Sequence, residues 1–316
     1  MPVREFLDIT VESAYKTAKT SPVLNTDRFV IRLDADNSFT MRPDPQAITM
    51  PYGGGFAVDA FDVSDTVEIK GSLTVKPTYT QMVALLGLGL VQINADQDSP
   101  WVTTEPIGDL ASVSIRHAIY QDDTGTYKRK AYRGVKNLGG KFDISRESKV
   151  ATLQLDLQAA SVDGSDPDGT AFPVPGDTNY TTDLIKFSHS TLSLGASITE
   201  YESLSFAWQN KFDALWFASP NLAKMRLLGR TSSLTAGLVY NSTPDFRAAY
   251  EALTVKAASL AFDGGALSFA LDYQGKNRVK TVEDVLAQMK VYRQTVTLES
   301  RYDTATSTDF ALTFGT

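Results

Sequence analysis

Two stretches decide how this chain reads: GSLTVKPTYTQMVALL, Gly71 to Leu86, and GLVYNSTPDFRAAYEAL, Gly237 to Leu253. Each runs from a Gly-led apolar strand through a Pro-marked turn into a short amphipathic helix. Downstream of each, a hairpin and a closing strand follow in the same order. The closing strands read KVATLQLDLQAAS from Lys149 and KVYRQTVTLESRY from Lys290, which sets Leu155 on Val296 and Leu157 on Leu298. Identity is low, but the order of elements is kept. A duplicated β-rich unit points to two equivalent positions in a symmetric assembly or array, and away from a single catalytic centre.

Composition agrees with two packed units. The 316 residues are 42% hydrophobic and 10% aromatic, enough for a core in each half at about 100–200 residues per domain. Residues 1–163 hold 17 Lys and Arg against 21 Asp and Glu, and the rest hold 13 against 16. So even an acidic balance excludes a protein that grips nucleic acid through clustered cations. The absence of cysteine rules out disulfides and thiolate metal sites. The opening MPVREFLDITVESAYKT lacks the apolar core of a secretion signal, and no run approaches about 18 apolar residues. The expectation is a chain made in the cytoplasm that does not insert into a membrane.

Along the chain the pattern predicts a mainly β protein of two tandem β-sandwich or partial-barrel domains, each with one short flanking helix. Residues 1–27 read as an N-terminal arm, 28–162 as the first domain, 163–179 as an Asp/Gly/Pro linker and 180–316 as the second domain. Arg28 to Leu33 is the first strand, with Phe29 and Ile31 on one face. The first domain carries a long loop at 41–65 and an insertion at 92–108. Gln209 to Arg230 is expected as the matching apolar loop of the second domain, and Thr281 to Met289 as a helical turn. The loops hold Ile48, Met50, Tyr52, Phe56 and Phe61 in one case and Leu215, Trp216, Phe217 and Leu222 in the other. Loops that apolar dock on something, so these nine residues are the candidate inter-subunit or inter-ring contacts.

Catalytic and ligand signals are weak. His117 lies in an alternating strand and His189 among Ser188, Ser190 and Thr191, neither with a partner at metal-ligand spacing. Asp163, Asp166 and Asp168 fail the spacing of a calcium loop. Gly53-Gly54-Gly55 lacks the following Lys-Ser or Lys-Thr of a phosphate loop. Lys128, Arg129 and Lys130 sit on a strand, where side chains alternate faces, and so suit the protection of a sheet edge. No catalytic residue, metal or cofactor is expected.

The order strand, apolar loop, Gly-led strand, short helix, hairpin and closing strand occurs twice. In the second half it is FAWQNKF, LWFASPNLAKMRLLGRTSSLTAGLVY, TPDFRAAYEAL and SLAFDGGALSFALDY; in the first it is SFTMRPDP, DTVEIKGSLTV, TYTQMVALLG and SVSIRHAIYQDDTGTYKRKAY. Over residues 28–316 the chain resembles the major tail tube proteins of long, non-contractile-tailed bacteriophages, in the branch with tandem tube domains. That resemblance implies a structural virion protein, assembled in the host bacterial cytoplasm, whose trimeric rings stack into the tail tube. Neighbouring sheets would join around a lumen that passes DNA without binding it. The partners implied are further copies of the chain, the tape-measure protein, the tail terminator and the distal tail protein. The insertion and the linker also suit a distal tail or baseplate ring protein of the same fold. A third reading is a two-domain carbohydrate- or protein-binding module, with Trp101 and Trp216 as stacking platforms.

Overall fold

The computed structural model describes residues 4–18, 28–33, 36–45, 67–79, 81–82, 85, 112–121, 126–163, 184–215, 222, 224–239, 246–265, 268–273, 277–286, 292–300 and 311–315. The loop expected at 41–65 is corrected at its start, since 41–45 belong to a strand, and the linker expected at 163–179 likewise, since Asp163 ends a strand. Residues 46–65, 92–108 and 164–179 fall outside the described residues. The described chain is mainly β and its sheets are antiparallel.

The first strand, β1 (Arg4–Ala14), lies where an arm was expected. It pairs with the short β2 (Thr17–Ala18), with β3 (Arg28–Leu33) and with β6 (Val113–Gln121), so that Ile9 faces Phe29 on one side and Ile115 on the other. Both its faces are buried. Leu7 and Ile9 enter the main core, while Phe6, Asp8, Thr10 and Glu12 are covered on the opposite face. Asp8 is held by Arg28 at 2.9 Å and Arg116 at 2.7 Å. From Leu7 to Glu12 the chain alternates apolar and polar, as a half-exposed strand does, and the alternation does not show that the polar face is buried as well.

The long β7 (Thr126–Ser145) joins two sheets. Its first part completes the order β3-β1-β6-β7, with β9 (Ser161–Asp163) on its far side. Gly134, at φ 61°, sits in a bulge where β7 changes sheets, a conformation that favours glycine. Its second part belongs to an eight-stranded sheet. Four strands are β4 (Ser38–Pro45), β5 (Val67–Val75), β8 (Thr152–Ala159) and β7; the other four are β12 (Tyr201–Leu215), β13 (Lys224–Val239), β17 (Tyr292–Ser300) and β16 (Arg278–Leu286), in that order across the sheet. A separate five-stranded sheet runs β11 (Ser197–Ile198), β10 (Ser190–Leu194), β14 (Ala258–Asp263), β15 (Ser268–Tyr273) and β18 (Ala311–Gly315). Helix is confined, among the described residues, to α1 (Phe246–Glu251), one turn at Phe187–His189 and a turn through Tyr79, Gln81, Met82 and Leu85.

Apart from the short β2, the two halves repeat strand for strand. The orders β3-β1-β6-β7-β9 and β4-β5-β8-β7 of the first half reappear as β11-β10-β14-β15-β18 and β12-β13-β17-β16 in the second. One adjustment to the sequence pairing follows. With Leu157 equivalent to Leu298, Gly71 opposite Leu157 matches Leu234 opposite Leu298, and Gly237 lies three residues further along on the other face. Identity of glycine had drawn the two strands out of phase.

The expected helical turn at Thr281 to Met289 is corrected too, because residues to Leu286 are strand β16 against β17. The sheets of each half pack face to face as a β-sandwich over one continuous core, and that core crosses from half to half. Phe142 of β7 meets Phe262 and Phe269 of the five-stranded sheet edge-on at 5.4 and 5.9 Å.

Candidate assembly interface

Where the halves meet, β7 and β12 form a regular antiparallel seam from Ser145 opposite Ser203 to Gly139 opposite Gln209. The seam is locked by a buried polar cluster. Trp208 Nε1 donates to Asn137 Oδ1 at 2.9 Å, and Asn210 Nδ2 donates to the Asn137 carbonyl at 3.0 Å. The Trp208 ring lies over Gly140, where an added Cβ would come within 2.5 Å of it. Any side chain at Gly140 would therefore push the indole off its partner strand. Phe206 stacks beside Trp208 at 5.3 Å.

The stretch Gln209 to Arg230, expected as a loop, is largely a hairpin. β12 continues to Leu215 and β13 begins at Lys224, with a register shift at Lys211 and Phe212. This arm lies on the first half of its own chain. Leu222 and Met225 bury against Ala160, with Tyr15, Leu138, Phe212 and Ala214 packed around them. The Lys136 ammonium donates to the Met225 carbonyl at 3.0 Å and sits over the rings of Tyr15 and Phe212. A buried lysine is tolerated here because its charge meets a carbonyl and two aromatic faces.

The structure thus places two of the nine candidate contact residues. Leu222 is 1% exposed and its apolar area is already covered inside one chain, whereas Leu215 is half-buried at the end of β12. Ile48, Met50, Tyr52, Phe56, Phe61, Trp216 and Phe217 lie outside the described residues.

The outer face of the eight-stranded sheet is polar and small. β12 presents Ser203, Ser205 and Ala207, β13 presents Ser233 and Thr235, and β17 presents Thr295 and Thr297, alternating with buried Leu204, Phe206, Leu234, Ala236, Val296 and Leu298. Four cations on this face stand beside carboxylates: Lys70 with Glu68, Lys141 with Asp143 at 2.8 Å, Arg293 with Glu202 at 2.9 Å and Lys280 with Glu299 at 3.8 Å. A groove of about 910 Å³ runs along the face over the seam. At its two margins the sheet ends in β4 and β16, which no described strand covers on the outer side.

The histidines hold structural positions. His117 meets the edge of Phe39 at 5.3 Å, and its Nε2 stands 3.8 Å from Glu5, beyond hydrogen-bond reach. Burial pushes its imidazole below the ordinary value, with Glu5 opposing and Lys130 adding to the fall. His189 Nδ1 and the Tyr79 hydroxyl share a hydrogen bond of 3.0 Å. Among the described residues no three His, Asp or Glu side chains are grouped to hold a metal ion, and no helix is long and apolar enough to cross a membrane.

The free sheet edges had no separate signature in the sequence, because they depend on which strands become neighbours. So do the pairs of Arg293 with Glu202 and Lys280 with Glu299, whereas Glu68 with Lys70 and Lys141 with Asp143 lie two residues apart on one strand. No protein-family model matches the chain, and no curated protein matches it.

Proposed function

We propose that this chain is the structural subunit of a phage tail tube, polymerising into stacked rings that conduct DNA. The observation that carries the reading is the eight-stranded sheet: two four-stranded units joined edge to edge, with an edge at each end that no described strand covers. Such a surface invites further copies to extend the sheet in the same direction, and a head-to-tail contact closes a ring or grows a filament.

Three chains would bring about 24 strands around the ring. At about 4.8 Å per strand that gives a wall about 115 Å around and about 37 Å across, before strand tilt enlarges it. The small polar face would line the channel, and its paired charges suit a conduit along which phosphates slide without being held. On this reading the chain is not an enzyme, needs no cofactor, and works with the tape-measure, terminator and distal tail proteins in the virion. Negative-stain microscopy of the purified chain is the direct test. Long hollow tubes support the proposal. Isolated rings would move it to a distal tail component, and compact monomers would favour a binding module.

A further inference from the structure

We infer that β16 of one copy pairs antiparallel with β4 of the next, in the register that sets Leu286 opposite Phe39, Asp284 opposite Met41 and Glu283 opposite Arg42. This rests on the tube reading above and adds to it the two partner edges and their register.

The register comes from the repeat. β16 holds the place in the second half that β7 holds in the first. Both pair with the closing strand, and both bulge at the same point, between Asn137 and Gly139 in one and between Val279 and Thr281 in the other. Phe39 likewise holds the place of Leu204. Phe39 faces Leu73, which faces Leu155; Leu204 faces Ala236, which faces Val296. Within one chain, Ile144 of β7 lies opposite Leu204 of β12, and Lys141 opposite Ala207. Carrying that seam onto the equivalent strands yields the stated register without a free choice.

Backbone and charge both fit. Pro43 lies opposite Ile69 and Pro45 opposite Val67. Proline has no N–H, so the ladder to β5 falls to Ser38, Thr40, Arg42 and Asp44. Phe39 and Met41 then turn their N–H and C=O groups to the open edge. Pro43 and Pro45 end the donors there and keep the seam short, which guards the edge against indiscriminate pairing.

Arg42 and Glu283 are both exposed, on the polar face. Across the new seam they become a directly opposed pair of opposite sign, matching the other paired cations of that face. The positions of Asn137 and Trp208 are taken by Val279 and Pro43, so the polar lock of the intrachain seam is absent and the seam between copies is the weaker of the two.

The chain has no cysteine, so one introduced thiol per copy reports one contact. Arg42→Cys and Glu283→Cys are prepared separately, mixed under assembly conditions and oxidised. Opposed strand residues lie within disulfide reach. The mixture should give a disulfide-linked dimer on a denaturing gel, and neither variant alone should do so. A mixture of Thr40→Cys with Thr281→Cys, displaced by roughly 13 Å along the strand, should stay monomeric on the same gel. Arg42→Glu should weaken each contact about two- to five-fold, and adding Glu283→Arg should recover it. If wild-type tubes form but the 42–283 link does not, the register is wrong while the tube reading stands. If the wild-type chain remains monomeric at every concentration, both are overturned.

Discussion

Glu12 accepts hydrogen bonds from the hydroxyls of Ser112 and Ser114 and from the backbone N–H groups of Lys16 and Gly134. It ties β1 to the neighbouring strands at the point where β7 bends. Glu12→Ala would leave these donors without an acceptor in a buried place, and should cost about 1–3 kcal/mol in the urea unfolding free energy. An unchanged midpoint and slope would mean that the carboxylate is not a structural tie.

His117 supplies a pH test. Its folded value is depressed mainly by burial, so the unfolded chain binds the proton more readily. Its contribution is therefore complete above the unfolded value of about 6.5 and is lost as pH falls below it towards the folded value. Unfolding midpoints taken on either side of pH 6.5 should differ more in the wild type than in His117→Gln; equal differences would contradict the burial argument. In the sequence, His117 was legible as a residue inside a strand. Glu12 and Asp8 were not legible as buried, since all their partners but Lys16 lie some 20 to 120 residues away.

At the level of elements, strands with clean alternation were readable: Arg28–Leu33, the strand before each helix, the hairpin turning at Asp263, and the closing strands. Three elements were misread for physical reasons. β1 alternates apolar and polar only from Leu7 to Glu12, and over the longer stretch Glu5 to Lys19 the spacing is mixed, which hides the strand. The arm of β12 and β13 contains a register shift at Lys211 and Phe212, which breaks the alternation midway. β16 holds Glu283 and Leu286, both good helix formers, but pairing with β17 overrides that local preference.

On the proposed function the stretch Gln209 to Arg230 would carry two roles. Leu222→Ala should lower stability by about 2–5 kcal/mol, because it empties a site covered by Ala160 and Met225. Replacing Trp216 and Phe217 with Ser should leave a folded, soluble chain that polymerises poorly. Thermal unfolding and light scattering distinguish the outcomes. If the double variant unfolds while polymers still form from chains shortened within 46–65, the stacking role of these loops is wrong.

At the scale of the molecule, the duplication was visible in the order of elements, and the mainly β fold with it. The continuity of the sheet across the halves was not, because nothing in a strand's own sequence names the strand that will lie beside it. That continuity is what makes the repeat functional in this account. Two similar units in one chain can occupy alternating sites of a ring that would otherwise need six chains, and closure leaves no open edge. The central claim is tested most directly by a cryo-EM reconstruction of the polymer. It should show three chains per ring, a pseudo-sixfold inner wall built from the eight-stranded sheets, and a narrowest radius lined by Ser, Thr and paired charges. Six complete chains per ring, or a narrowest radius ringed mainly by Lys and Arg, would contradict it.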